Sequence, residues 1–155
     1  MKKFSLGMCF SAVAAILAIV SLIVYNVNVG GAGYFQNASI TNLALFCALA
    51  AAALIVAIVL ANLSMSGPAD TAVNLVIGAL QIVAPALLAL CLINLIAGRA
   101  EGLGFIYFSN ADVILEVQTP ENMASASGAI ANMVVLAIST VVGIVASFVN
   151  IKKSA

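Results

Sequence analysis

The sequence predicts an all-α integral membrane protein, in which residues 1–155 form one domain built as a four-transmembrane-helix bundle. Hydrophobic residues make up 65% of the chain, whereas a soluble domain has about 45–50%. Only 6% of the residues are charged, which is too few to cover a globule in water. The ten charges also leave long uncharged stretches between them.

The uncharged stretches define the predicted helices. Positions 4–69, 71–98 and 122–151 contain no charged residue, and about 20 apolar residues cross a hydrocarbon core. The first stretch holds two helices, because a polar, glycine-rich segment divides it near residues 26–42. Continuous runs of this length favour helices over the strands of a barrel. The predicted spans are about 4–24, 41–61, 71–98 and 125–151.

Lysines at both ends of the chain predict its orientation. Cytoplasmic flanks of membrane proteins carry an excess of cations, and four lysines flank the predicted bundle: Lys2, Lys3, Lys152 and Lys153. Both termini are therefore predicted to be cytoplasmic. Residues 62–70 then form an inner loop, and residues 26–40 and 99–124 form outer loops.

The short start Met1-Lys2-Lys3 and the short loops favour a bacterial plasma membrane. The alternative is the endoplasmic reticulum membrane of a eukaryote, because residues 152–155 fit a dilysine retrieval signal.

Small and polar residues at helical spacing predict the faces on which the helices pack. The stripes of the third and fourth spans are the most polar, and we expect them to face each other or a partner. In one interpretation Gln81 and Asn132 bond across the bundle; in the other they line a path for a small polar solute. Pro85 is expected to loosen the third helix. The residues of these two stripes are Asn74, Gly78, Gln81 and Pro85, and Ser125, Gly128, Asn132, Ser139, Gly143 and Ala146.

The outer segment 103–118 has a different pattern. Aromatic and β-branched runs on either side of Ser109–Asp112 predict a β-hairpin, with Val27–Val29 as a third strand. The alternative is a short interfacial helix that holds its aromatic side chains at the headgroups. Thr119 and Pro120 predict the N-cap and first residue of the last helix. The outer-loop residues predicted to meet a cation or partner are Tyr107, Asp112 and Glu116.

Four membrane helices with a small outer sheet resemble the claudin-like tetraspan architecture. The resemblance is one of layout, because the sequence has no Trp and no Cys in a predicted loop. It therefore implies no residue role and no function for this chain.

The sequence offers no catalytic, cofactor or metal site, so we expect no enzyme activity and no cofactor. It has no His, and Cys9, Cys47 and Cys91 stand isolated within predicted spans, where they are expected to pack as small apolar residues. Zero net charge without a basic run argues against binding to nucleic acid.

We expect a non-enzymatic accessory or structural subunit that packs with another membrane protein or forms a homo-oligomer. The alternative is a channel or transporter subunit that uses the polar stripes of the third and fourth spans.

Overall fold

The computed structural model describes residues 5–63 and 66–151, and this part of the chain is helical. Four of its helices are long and apolar enough to cross a membrane, which confirms the predicted class of helical membrane protein. The four lysines behind the predicted orientation lie outside the described residues, as does the predicted start of the first span at Phe4. The helices are α1 (Leu6–Gly30), α2 (Leu43–Ala61), α3 (Pro68–Phe108), α4 (Ala111–Val117) and α5 (Pro120–Phe148).

The four long helices surround one narrow core. Helix α1 packs against α2 and α5, and α3 packs against the same two helices. Leu, Ile and Val side chains cover the outside of the bundle, as contact with lipid requires. Small residues line the interior; Ala14, Ala18 and Ala50 are fully buried. Close approach of the helices therefore holds the bundle together.

Helix α3 is much longer than a membrane span. Its 41 residues correspond to about 60 Å at 1.5 Å per residue, about twice the thickness of the hydrocarbon core. Pro85 lies inside this helix and has no N–H to donate to the carbonyl of Gln81, yet the helix continues past it. The C-terminal end of α3 reaches Phe108, ten residues beyond the predicted end of the span. We call this end of the bundle the outer end, after the predicted orientation.

The predicted outer β-hairpin is wrong. No strand occurs in residues 5–63 or 66–151; the segment 103–118 holds the end of α3 and the short helix α4, and Val27–Val29 belong to α1. Extending an existing helix costs less than starting a new element, and Gly102 and Ile106 of this extension are buried. The segment is helical, as in the alternative, but Phe105, Tyr107 and Phe108 lie on the extension of α3 and not on a separate short helix. The claudin-like layout therefore extends only to the four helices.

The predicted start of the last helix is confirmed. Thr119 is the N-cap of α5 and Pro120 is its first residue. The Thr119 Oγ1 accepts a hydrogen bond of 3.2 Å from the backbone N–H of Asn122. This bond satisfies one of the N–H groups that a helix start leaves without an intrahelical partner.

Candidate functional site

The polar stripes of α3 and α5 meet at two points. The Gln81 Nε2 donates a hydrogen bond of 3.1 Å to the carbonyl oxygen of Ala146. Pro85 lies against Gly143, where a Cβ would be 3.3 Å from the proline Cβ. A Cβ at position 143 would therefore be in tight contact with Pro85, which would have to move by a few tenths of an ångström.

The inner end of the α3 stripe points away from the core. Asn74 is exposed, and its Nδ2 donates a hydrogen bond of 3.0 Å to Asp70 Oδ2 one turn earlier. A Cβ at Gly78 would meet open space. Asn74 and Gly78 therefore do not share the contact with α5 that Gln81 and Pro85 make.

Asn132 and Ser139 bond to α1. The Ser21 Oγ donates a hydrogen bond of 2.6 Å to Asn132 Oδ1, and the Ser139 Oγ donates one of 2.9 Å to the carbonyl oxygen of Ala14. The sequence places Asn132 and Ser139 on one face of α5, but helical spacing alone does not reveal which neighbour that face meets. The polar stripe of α5 thus joins α1 as well as α3.

Four buried residues, one from each long helix, lie in the outer half of the bundle. Ser21, Cys47, Cys91 and Asn132 come from α1, α2, α3 and α5 and are at most 1% exposed. Cys47 Sγ donates to the carbonyl oxygen of Ala18 at 3.2 Å, and Cys91 Sγ donates to that of Leu43 at 3.5 Å. We call these four residues the central polar cluster. Asn132 Nδ2 has no hydrogen-bond partner in the described chain.

Arg99 is a buried cation that the sequence placed in a solvated outer loop. It is 2% exposed, its Nη2 donates a hydrogen bond of 2.8 Å to the carbonyl oxygen of Ala38, and its guanidinium carbon lies 4.5 Å from the centre of the Phe35 ring. A carbonyl dipole and an aromatic face offset part of the cost of burying the charge. The sequence carried no signal for this site, because Phe35 and Ala38 are more than 60 positions from Arg99 and no spacing rule links them.

Residues 31–42 fold over the outer end of the bundle, and we call them the outer cap. The backbone N–H of Ile40 donates to Tyr25 Oη at 2.6 Å, and that of Phe35 donates to Ser125 Oγ at 3.1 Å. Gly33 has a φ of 116°, which favours glycine. The cap thus connects α1 and α5 and covers Arg99 on α3.

Two of the three predicted outer residues, Asp112 and Glu116, lie on the short helix α4, whereas Tyr107 is a half-buried residue near the end of α3. Asp112 and Glu116 are one turn apart and exposed. Leu115 is 85% exposed and Phe108 is 87% exposed, and the rings of Tyr107 and Phe108 are 6.4 Å apart. The Gln118 Nε2 donates a hydrogen bond of 3.0 Å to the carbonyl oxygen of Ile106, which fastens the end of α4 to α3.

An apolar groove lies between the outer ends of α1 and α5. Its volume is about 330 Å³, and four of its lining residues are glycine or alanine. In this groove the Asn28 Nδ2 of α1 donates a hydrogen bond of 2.7 Å to the carbonyl oxygen of Ser125 on α5. The full lining is Ile23, Val24, Val27, Asn28, Gly31, Ala32, Ala124, Ser125 and Gly128.

Comparison with protein-family models, with curated proteins and with solved structures finds no match for this chain. The fold itself defines a class, a multi-pass membrane protein with four helices able to span the bilayer. Within the described residues, no three His, Cys, Asp or Glu side chains lie together where they could hold a metal ion.

Proposed function

We propose that this protein is a non-enzymatic accessory or structural subunit of a bacterial plasma membrane, with both termini cytoplasmic, that packs with another membrane protein or with a second copy. One observation carries the proposal: Gln81, Asn132 and Ser139 each bond to a neighbouring helix of the same chain. Side chains engaged in this way serve the cohesion of the bundle.

The groove between α1 and α5 supports the packing role. Gly31, Ala32, Ala124 and Gly128 leave room beside the two helices, and small residues are what allow membrane helices to approach closely. A spanning helix of a partner or of a second copy would find there a mostly apolar surface, in which small residues alternate with the exposed side chains of Ile23 and Val27. The groove also lies on the outside of the bundle, where a partner reaches it without unfolding the chain.

A channel or transporter subunit has less support. A pore between chains would need Gln81 and Asn132 on the outer surface, but both are nearly fully buried. Asn74 is the exposed member of the proposed path, and it bonds to Asp70. Proton relays and ion-coupled transport need ionisable residues within the spans, and the described part of the chain has no charged residue in α1, in α2 or between Asp70 and Arg99 of α3. The buried cation Arg99 lies toward the outer end of α3 and bonds to the carbonyl oxygen of Ala38.

Purification from the native membrane in a mild detergent tests the proposal. We expect an oligomer or a stoichiometric complex with a second membrane protein, identified by cross-linking and mass spectrometry. The variant Ala124→Leu fills the groove and should reduce the recovered complex several-fold. Its matched control is Ala52→Leu, because Ala52 is an exposed residue of α2 that does not line the groove. A chain that stays monomeric and free of other proteins would contradict the proposal.

A further inference from the structure

Two fully buried cysteines of the packed helices α2 and α3, Cys47 and Cys91, belong to the same core cluster. The Cys91 Sγ donates to the carbonyl oxygen of Leu43 at 3.5 Å, and Leu43 lies one helical turn before Cys47 on α2. Cys91 therefore contacts α2 at the turn that carries Cys47, and both residues belong to one core cluster. We propose that Cys47 and Cys91 form a redox-active pair whose oxidation joins α2 to α3 by a disulfide bond.

The position of the pair makes an intramolecular bond the expected product. Both cysteines are fully buried in one core cluster, so neither thiol meets a thiol of another molecule. The third cysteine, Cys9, is exposed and lies near the N-terminal end of α1. A disulfide needs the two sulfur atoms at about 2.05 Å, so its formation requires rotation of both side chains and a shift of α2 against α3.

The outer cap packs against the core cluster that holds the pair. Cys47 is four residues from the start of α2 at Leu43, which places it about 6 Å below that end of the helix. Ile40 of the outer cap packs against the same core cluster. A small oxidant therefore reaches the thiols when the cap opens or when the oxidant enters from the lipid.

The reaction balances with one two-electron oxidant that is soluble in lipid, such as an azo compound or a quinone. Two S–H bonds break and one S–S bond forms, and two protons and two electrons leave the thiols. An azo oxidant takes up both, because its N=N bond becomes an N–N bond that carries two hydrogens. The oxidant is the only other reactant.

The test uses the full-length C9S variant, in which Cys47 and Cys91 are the only cysteines. The purified protein in mild detergent is treated with the azo oxidant diamide, unfolded, alkylated with N-ethylmaleimide and weighed by mass spectrometry. We expect a monomer about 2 Da lighter that takes up no maleimide until it is reduced and then takes up one at each of the two cysteines. This result does not depend on whether a protein partner exists.

The matched controls are C9S/C47S and C9S/C91S, each of which has one buried thiol and cannot form the bridge. They are expected to keep that thiol available to maleimide in denaturant under the same treatment. A C9S protein that retains both thiols, under exposure that fully oxidises dithiothreitol added to the same micelles, would overturn the proposal. A disulfide found only between two chains would overturn it as well.

Discussion

At the scale of single residues, the bundle depends on a few hydrogen bonds between helices. Lipid surrounds the helices with a medium as apolar as their own side chains, so burial of Leu or Ile adds little to their association. The hydroxyl of Ser21 and the amide of Asn132 form a side-chain bond between α1 and α5. Removing one partner leaves the other buried without a bond, which is the costly outcome in an apolar interior.

We expect Ser21→Ala and Asn132→Ala each to lower the free energy of unfolding by about 1 kcal/mol. Because the two residues share one bond, the double variant S21A/N132A should lose less than the sum of the single losses. Unfolding by dodecyl sulfate in mixed micelles, followed by circular dichroism, measures these values.

The control for this double-mutant comparison is the variant Ser139→Ala. Ser139 bonds to the carbonyl oxygen of Ala14 and lies two turns from Asn132 on α5. Its loss should add to that of N132A, since the two bonds share no group. Additive losses for Ser21 and Asn132 would show that their bond contributes no coupling energy.

At the scale of elements, the outer cap is held by its fit against α3. A Cβ at Gly102 would lie 2.5 Å from Phe35 Cε1 and 2.6 Å from Tyr34 Cε1. The Phe35 ring is enclosed and stacks on the Arg99 guanidinium, so it has little room to move. A single added methyl group at position 102 therefore acts on the cap.

We expect Gly102→Ala to displace the Phe35 ring and to speed amide hydrogen exchange in the outer cap several-fold. The matched control is Gly104→Ala, because a Cβ at Gly104 meets nothing within 4 Å. Both changes gain the same helix propensity, about 1 kcal/mol, so the difference between them isolates the contact with the cap. Equal exchange in the two variants would mean that the cap does not depend on this fit.

A comparison of the predicted and observed elements shows which features the sequence alone could predict. The charge gaps and apolar runs predicted four helices, and Thr119 with Pro120 predicted the start of α5, because these signals are local. The prediction of an outer hairpin was wrong because the side chains of Phe105–Phe108 are of types that favour a strand, whereas helix α3 continues through these residues. The Ser21–Asn132 bond and the buried Arg99 depend on contacts between distant segments, which helical spacing does not encode.

At the scale of the whole molecule, the bundle has two unlike ends. The outer end carries the cap, the extension of α3 and α4, and its exposed charges are acidic: Glu101, Asp112, Glu116 and Glu121. The opposite end is formed by the short connection between α2 and α3 and by the ends of α1 and α5. Four spans place both termini on that second side, so one experiment on two positions determines the orientation of the entire chain.

We expect the acidic end to face away from the cytoplasm, because the four lysines precede α1 and follow α5 in the sequence and cytoplasmic flanks are enriched in cations. The test places single cysteines at the exposed positions Ala111 and Ser66 in a C9S/C47S/C91S background. In intact bacterial cells, A111C should react with a membrane-impermeant maleimide, and S66C should react only after the membrane is opened. The cysteine-free protein is the control for background labelling. Labelling of S66C in intact cells while A111C stays protected would invert the orientation and place both termini outside.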